Sequence, residues 1–241
     1  ISRITGDVGT NNGSSTAFGN VNGVMHDGDS VSITAAADLL VAYNFLDSRI
    51  PTLFPSPLLG NGDTLIAGIY SVSAASTLNG NLILDAQGDA NALFIIQIQG
   101  PLASASGAKV KLINNALACN VFWKVEGMVS LASNTTMRGT IIANNSAIQM
   151  SSNDTLEGRA FSTTGAITID GVLIDKPIGC GSVMLTGPAA PTLGKAECYS
   201  VFSSSGALAN VGDSYITGDV GSNSGAVSGF NSLLITGTLH P

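Results

Sequence analysis

The sequence predicts a mostly β protein in which parallel strands stack into a β-solenoid, with one long α-helix beside them. Three observations support this fold class. From Thr64 onward, short apolar or alternating runs separated by Gly, Asn and Ser indicate strands joined by turns. No helix-length segment lies between these runs, which excludes a doubly wound sheet. Segments of similar composition also recur along the chain, as expected for stacked rungs.

One stretch in the first fifth of the chain has the pattern of a helix. Asp29 or Ser30 can cap its N-terminus, and apolar residues recur at three- and four-residue spacing from Ile33 onward. Pro51 follows the end of the pattern. We therefore expect a helix over about residues 30–48.

The strand-forming runs occupy most of the chain after this helix. They are Leu82–Leu84, Leu93–Ile98, Val110–Ile113, Val121–Val125, Ile141–Ile142 and Ala166–Ile174. Asn79-Gly80 is the one Asn-Gly hairpin signal in this region, and a meander of hairpins would need more of them. A stack of parallel strands therefore fits better.

Five segments look like successive rungs of one face, each beginning with an apolar anchor. They are residues 72–78, 102–108, 131–137, 150–156 and 167–173, with anchors Val72, Leu102, Leu131, Met150 and Ile167. Because side chains alternate along a strand, inward anchors place every second residue outward. The outward positions predicted in this way are Ser73, Ala75, Thr77, Ala103, Ala105, Ala132, Asn134, Thr136, Ser151, Asn153, Thr155 and Thr168.

These twelve side chains are small and uncharged, and that composition suggests a function. On a solenoid face they would repeat at about 4.8 Å between rungs and about 6.7 Å along each strand, spacings close to repeats of the ice lattice. Methyl groups can hold ordered water while hydroxyl and amide groups tether it by hydrogen bonds. The twelve positions are therefore candidate ice-binding residues, and Thr136→Tyr is expected to abolish ice binding. The alternative is that such residues are ordinary on any exposed solenoid strand.

The charge balance excludes two classes of partner. Lys and Arg total 9 against 16 Asp and Glu, giving a net charge of -7, and charged residues are 10% of the chain. This balance argues against nucleic acid or an anionic membrane as a partner. The apolar content of 44% is too high for a disordered chain, so we expect a folded, charge-poor, soluble protein.

An internal repeat divides the chain. Ile-Thr-Gly-Asp-Val-Gly at residues 4–9 recurs at residues 216–221. We expect a solenoid domain over 1–185 without its opening strand, a Pro/Gly linker over 186–198, and the start of a second tandem copy over 199–241. Such a start cannot bury its apolar side alone, so the alternative is that it packs on the first copy and supplies the missing strand.

Catalysis and metal binding have little support in the sequence. The acidic pairs Asp85/Asp89, Asp154/Glu157 and Asp170/Asp175 are interpreted as turn or capping residues. His26 and His240 stand at equivalent places of the repeat, and no Ser-His-Asp order or Cys-x-x-Cys pair is present. We therefore expect no enzymatic activity, no metal and no cofactor.

The cysteines bear on the compartment. Cys180 and Cys198 flank a Pro/Gly-rich stretch in which a disulfide would close a small loop. Such a disulfide favours an oxidising, extracellular location, so the protein is expected to be secreted or on the cell surface.

Four stretches resemble a known family. They are LDAQGDANALFIIQIQG (84–100), ACNVFWKVEG (118–127), RGTIIANNSAIQM (138–150) and EGRAFSTTGAITID (157–170). They are similar to the secreted ice-binding, or antifreeze, proteins of cold-adapted bacteria, fungi and algae. The resemblance implies a discontinuous right-handed β-solenoid of triangular section, one flanking helix, a flat ice-binding face and no cofactor.

Members of this family slow ice growth and inhibit ice recrystallisation. The resemblance implies the same activities for this chain. Their face is often rich in Thr, whereas this chain has Ala103, Ala105 and Ala132 at corresponding positions. Two alternative functions are a β-solenoid cell-surface adhesin and a carbohydrate-binding or carbohydrate-active module.

Overall fold

The computed structural model describes residues 2–16, 20–178 and 191–240. Within these ranges the chain forms one α-helix, α1 (Ser30–Asp47), and 22 strands numbered β1 to β22 in chain order. Every pairing between these strands is parallel, and the strands stack in coils of three. The predicted mostly β solenoid with one long helix is confirmed. No helix in the described residues is long and apolar enough to cross a membrane.

The solenoid has three faces, as the triangular section predicted. Face 1 is an eight-stranded sheet made of β3 (Leu58–Gly60), β6 (Ser76–Asn79), β9 (Leu102–Ser104), β12 (Val129–Leu131), β14 (Ile148–Met150), β16 (Ile167–Asp170), β19 (Leu208–Val211) and β21 (Val227–Ser228). Three short 3-10 helices, Ala118–Asn120, Gly194–Cys198 and Ser232–Leu234, lie in the connections.

The second sheet folds over an edge and forms the other two faces. Face 2 contains β4 (Thr64–Ile66), β7 (Asn81–Asp85), β10 (Lys109–Ile113), β17 (Leu173–Asp175) and the first halves of β1 (Ser2–Thr10), β13 (Thr136–Ala143), β15 (Thr155–Ser162) and β20 (Ser214–Ser222). Face 3 contains β2 (Gly23–Asp27), β5 (Gly68–Val72), β8 (Phe94–Ile98), β11 (Val121–Val125), β18 (Tyr199–Ser203), β22 (Thr238–His240) and the second halves of the four long strands.

Glycine allows the long strands to turn from face 2 to face 3. Gly139 lies in the middle of β13 with φ 103°, a conformation that side chains rarely adopt. Its neighbour Gly158 in β15 must also lack a side chain, because a Cβ there would overlap the carbonyl oxygen of Gly139. One long strand can therefore contribute to two faces.

The interior of the solenoid is filled by aligned apolar residues from successive coils. In face 3, Ile96, Trp123 and Ile141 lie level with one another and are fully buried. Such stacks bury each coil against its neighbours, as in other repeat folds. The indole Nε1 of Trp123 donates to the carbonyl oxygen of Arg138 at 2.9 Å.

Helix α1 covers face 3, which explains why its strands are apolar on both sides. The carboxylate of Asp29 accepts a hydrogen bond from the amide of Ser32 at 2.8 Å and caps the helix, as predicted. The buried side of the helix consists of Ser32, Ala35, Ala36, Leu39, Ala42 and Leu46. It packs on the outward side chains Ile95, Phe122, Ile142, Phe161 and Phe202 of face 3. Ile33, with which the predicted apolar pattern begins, is instead 56% exposed, and Leu40 two turns later is 47% exposed.

The C-terminal segment stacks on the preceding coils. Strand β18 pairs with β15, and β19 pairs with β16, so residues 199–211 form part of the same solenoid. Part of the predicted linker packs on α1, where the amide of Lys195 donates to Asp38 at 2.7 Å. The proposed tandem boundary itself stays a prediction. Cys180 lies outside the described residues and Cys198 is exposed, so the disulfide also stays a prediction.

The corner between faces 1 and 2 is formed by residues in the left-handed conformation. Asn134 has φ 66° and Asn153 has φ 63°, whereas Gly107 and Gly171 take this place in neighbouring coils with φ 75° and 58°. The amide of Asn134 donates to the carbonyl of Ser152 in the next coil at 3.1 Å. Asn tolerates this conformation better than other residues with a Cβ, which explains its presence here.

We expect Asn134→Val to destabilise the fold by about 1–2 kcal/mol, because a β-branched residue is strained in the left-handed region. Asn134→Gly should leave the free energy of unfolding nearly unchanged, since glycine adopts this conformation freely. Urea unfolding of the two variants beside the parent chain measures the difference. Equal destabilisation by Val and Gly would show that the Asn134 side chain itself, and not its backbone conformation, matters.

Candidate functional site

Face 1 is a continuous sheet whose rungs stay in register. Ala103 lies level with Thr77 on one side and Ser130 on the other, and Gln149 lies level with Ser130 and Thr168. The complete outward column is Leu58, Thr77, Ala103, Ser130, Gln149, Thr168 and Ala209, and Ser228, which follows it in register, is buried. The backbone therefore sets these side chains at the rung spacing of about 4.8 Å.

A second column of mainly small apolar side chains runs beside the first. Its members precede the strands of face 1 and are Ala75, Pro101, Met128, Ala147, Ala166, Ala207 and Ala226. Backbone hydrogen bonds join these levels: the amide of Leu102 donates to Met128 at 2.9 Å and that of Ile148 donates to Ala166 at 2.9 Å. Face 1 thus presents a row of methyl groups beside a row of mixed small polar and apolar groups.

Face 1 and face 2 differ in the number of charged side chains that they carry. Asp170, at one edge, is the one charged residue among the described strands of face 1. The outward side chains of face 2 include Arg3, Lys109, Lys111, Arg138, Glu157 and Asp175. Arg138 and Glu157 form an ion pair there. Since α1 covers face 3, face 1 is the one solenoid face in the described residues that is both uncovered by the helix and nearly neutral.

The structure divides the twelve predicted outward residues among several places. Seven lie on or directly beside the strands of face 1: Ala75, Thr77, Ala103, Ala105, Ala132, Ser151 and Thr168. Ser73 lies in the bend between β5 and β6, and Asn134 and Asn153 lie at the corner. Thr136 and Thr155 begin β13 and β15 on face 2, where Thr136 is level with Lys109. The twelve residues therefore do not form one face.

Two physical reasons explain this correction. Strict alternation was counted through the corner, but a left-handed residue turns the chain and ends the alternation. The anchors were also misaligned: Leu102 is level with Val129, not with Leu131, and Ile167 is level with Ile148, not with Met150. Val72 lies on face 3 in β5.

Sequence reasoning did not identify Ser130 and Gln149, which occupy the centre of face 1. A signal for them was present, because the triplets VSL (129–131), IQM (148–150) and ITI (167–169) each place one residue between two buried apolar ones. Aligning these triplets gives the observed register. The central residue of each triplet then falls on the outward column.

Several acidic residues accept hydrogen bonds from backbone amides in the turns of the solenoid. Asp154 is buried, and its two carboxylate oxygens accept hydrogen bonds from the amides of Thr135 and Ser151, each at 2.8 Å. Burial raises the pKa of Asp154 to about 7, although these two amides act in the opposite direction. Asp85 and Asp89 likewise accept backbone amides two residues ahead. The turn role predicted for these three residues is therefore observed.

One group of metal-ligating types occurs in the described residues. Asp7, His26, Asp219 and His240 have ligand atoms within 4.8 Å of one another. Asp7 and Asp219 are the same position of the repeat, because both pair with Tyr199, and His26 and His240 are level with the equivalent residues Gly9 and Gly221. Either copy alone supplies one carboxylate and one imidazole, fewer than the three or four protein ligands of a typical zinc site.

These features define a class of protein, a triangular β-solenoid that keeps one neutral face uncovered and buries another beneath a helix. The sequence profile of the family described as ice-binding-like matches residues 1–175. The chain belongs to this family.

Individual relatives agree with this assignment. The chain is 38% identical over 170 residues to an ice-binding protein of Nostoc sp. (strain HG1), across 69% of this chain and 63% of the relative. It is 31% identical over 196 residues to an ice-binding protein of Colwellia sp., across 73% of this chain and 75% of the relative.

Solved structures show the same fold. The crystal structure of an ice-binding protein from an Antarctic bacterium of the Flavobacteriaceae superposes with a TM-score of 0.74 at 52% identity. The match covers 88% of this chain and 54% of that one. The chain therefore spans less than two thirds of the length of both the Nostoc relative and this structural relative.

Proposed function

We propose that this protein adsorbs to ice through face 1 and thereby slows ice growth and recrystallisation. The observation that carries the proposal is the unbroken register of the outward column from Thr77 to Thr168 on a face almost without charge. The family membership and the ice-binding relatives support the same function.

The physical basis is water order. The methyl groups of residues such as Ala103 and Ala147 cannot hydrogen-bond to water, so the adjacent water keeps its bonds to other water molecules. Polar groups of Ser130, Gln149 and Thr168 can tether that water by hydrogen bonds at fixed spacing. Ammonium or carboxylate groups would bind water more strongly and in other orientations. Face 2 carries such groups and is not part of the proposed surface.

Adsorption requires neither turnover nor a cofactor, so the proposal assigns no catalytic residue. We infer a secreted or cell-surface location, where face 1 would meet extracellular ice. The family membership and the relatives named as ice-binding proteins support this inference.

A bulky substitution on face 1 should abolish ice shaping and thermal hysteresis. Ala103 is exposed in the outward column between Thr77 and Ser130, so Ala103→Tyr would raise a ring above the face without entering the core. Thr136→Tyr is the matched control, because Thr136 lies on face 2 beside Lys109. With this placement, Thr136→Tyr is expected to retain activity, in contrast to the expectation from sequence.

Ice crystals grown in dilute solutions of the parent chain and both variants provide the measurement, and circular dichroism verifies that each variant is folded. Loss of shaping in Ala103→Tyr alone supports face 1. Loss in Thr136→Tyr alone would move the site to face 2. Unshaped crystals with the parent chain would reject ice binding and favour the adhesin or carbohydrate-binding alternatives.

A further inference from the structure

Face 2 contains a groove at the point where two of its strands separate. β10 pairs with β7 along its whole length, from Lys109 to Ile113. Within the part of the chain that the structure describes, β10 pairs with β13 at one position alone, where Lys109 is level with Thr136. Strand β11 joins this side of β13 only from Thr140 onward. The edge of β10 that faces β13 is therefore open beyond the first pair.

The groove between these strands has the size and the lining of a ligand site. Its volume is about 580 Å³, within the range of about 300–1,000 Å³ that is usual for small-molecule sites. Leu112, Ala116 and Leu117 line it and are half-buried, and Ile113 beside them is 38% exposed. The groove therefore offers an apolar surface to a ligand.

Positive charge is concentrated in this groove. Lys109, Lys111 and Arg138 line it, and they are three of the nine Lys and Arg residues in a chain whose net charge is -7. Glu157 is the one acidic residue among the described lining side chains, and it pairs with Arg138. Three cations against one carboxylate leave the groove positive in a protein that is acidic as a whole.

Arg138 is poorly hydrated in the groove. Its side chain is 32% exposed, and burial lowers the pKa of its guanidinium. The carbonyl oxygen of Arg138 accepts the hydrogen bond from the indole of Trp123, which holds the backbone beneath the groove. An anion beside the guanidinium would replace part of the lost hydration by a charge-assisted hydrogen bond. Arg138 therefore favours an anionic ligand.

We propose that this groove binds a segment of an acidic polysaccharide. Carboxylate or sulfate groups of the sugar chain pair with the three cations, and the apolar faces of its rings lie on Leu112 and Ala116. Lys109 and Lys111 are two residues apart on one strand, about 6.6 Å, and Arg138 lies on the neighbouring strand. A ligand with several spaced anions fits this arrangement better than one small ion does.

A nucleic acid carries spaced anions as well, but its row of phosphates would extend from the groove onto the acidic remainder of the surface, which repels it. A sugar chain with fewer charges and apolar ring faces matches both parts of the lining. The site lies on face 2, so this binding function does not depend on ice binding by face 1.

Calorimetric titration with alginate oligosaccharides, which carry carboxylates, and with neutral dextran tests the proposal. The parent chain should bind alginate and not dextran, and its affinity for alginate should fall as salt is added. Lys111→Gln should weaken binding by about two- to fivefold, since it removes one exposed ion pair. Lys195→Gln is the matched control, because Lys195 is exposed beside α1, away from the groove, and it should leave the affinity unchanged.

Removing the carboxylate of the groove should have the opposite effect. Glu157→Gln frees the guanidinium of Arg138 for the ligand, so the affinity for alginate should rise by about two- to fivefold. Glu197→Gln makes the same change in net charge at an exposed position of the 3-10 helix beside α1, and it should leave the affinity unchanged. An equal gain in both variants would show that overall charge, and not the groove, governs binding, and would overturn the proposal.

Two tyrosine variants separate this site from the ice-binding surface. Thr136 lines the groove, so Thr136→Tyr should block alginate binding while ice shaping is retained. Ala103→Tyr should abolish ice shaping and leave alginate binding at the parental level, because Ala103 lies on face 1. Undiminished alginate binding by folded Thr136→Tyr would exclude the groove as the site.

Three further results would overturn the assignment of the ligand. The first is a folded parent chain that binds neither sugar, or binds dextran as tightly as alginate. The second is complete displacement of alginate by inorganic phosphate at an equal concentration of charge, which would indicate a site for small anions. The third is tighter binding of a single-stranded oligonucleotide than of alginate, with the same dependence on Lys111, which would make the groove a nucleic-acid site.

Discussion

Lys124→Ala is expected to lower the free energy of unfolding by about 3–5 kcal/mol, because it removes one partner of a buried ion pair. Lys124 lies on face 3 beneath α1 and is 1% exposed. Its Nζ is 2.6 Å from Oδ1 of Asp47 at the end of the helix and 2.5 Å from Oε1 of Glu126. Asp47 is 55% exposed and gains hydration when the lysine is lost, so the effect should lie towards the lower end of that range.

Removing the lysine leaves Glu126 with its two other hydrogen-bond partners but without a positive charge. The hydroxyl of Tyr43 donates to Oε1 of Glu126 at 2.5 Å, and the side-chain amide of Asn144 donates to Oε2 at 2.8 Å. Burial alone would raise the pKa of Glu126, but the hydrogen bonds from Asn144, Lys124 and Tyr43 outweigh it and lower the pKa. The contribution of Glu126 to stability is therefore present above about pH 4.5 and is lost as the pH falls through its lowered pKa.

Lys124→Met separates charge from packing. Methionine fills much of the same volume without a charge, so it should cost less than alanine if packing of the lysine stem contributes to stability. Both variants should show a shallower loss of stability than the parent chain as the pH falls below about 4.5, since Glu126 no longer has its cation. Urea unfolding across this pH range measures both effects. A pH dependence unchanged by Lys124→Met would refute the role assigned to the pair.

The ion pair also shows which parts of this fold a sequence can predict. The helix follows from local patterns, namely the cap at Asp29 and the apolar spacing, and it was predicted to within one residue of its observed end. The pairing of Lys124 with Asp47 joins residues 77 positions apart. Nothing local to VFWKV indicates that its lysine lies beneath a helix rather than in solvent.

The sequence predicted the composition of the candidate face, but it did not predict correctly which residues lie on it. Small neutral residues do line face 1, and seven of the twelve predicted positions lie on or directly beside it. The rest were misplaced because the residue sequence does not show where a coil turns. Asn134 was interpreted as an outward strand residue, whereas its positive φ makes it a corner. A two-residue error in aligning Leu102 then concealed Ser130.

Trp123→Ala should destabilise the solenoid by about 3–5 kcal/mol, because it empties the centre of the stack between Ile96 and Ile141. Trp123→Phe keeps most of the ring but loses the hydrogen bond to the carbonyl of Arg138, so we expect a cost of about 1–3 kcal/mol. Thermal unfolding ranks the two variants. Equal costs would mean that the hydrogen bond, and not the filled volume, dominates at this site.

Ice shaping by the same two variants separates the stability of the solenoid from the action of its surface. Trp123 points into the interior and contributes no atom to face 1, so a molecule that remains folded near 0 °C should shape ice as the parent chain does. Ala103→Tyr should show the converse, near-parental stability with loss of shaping. If Trp123→Phe remained folded but failed to shape ice, the rung spacing of face 1 would depend on packing beneath face 3. In that case the backbone register of face 1 alone would not set the proposed ice-binding surface.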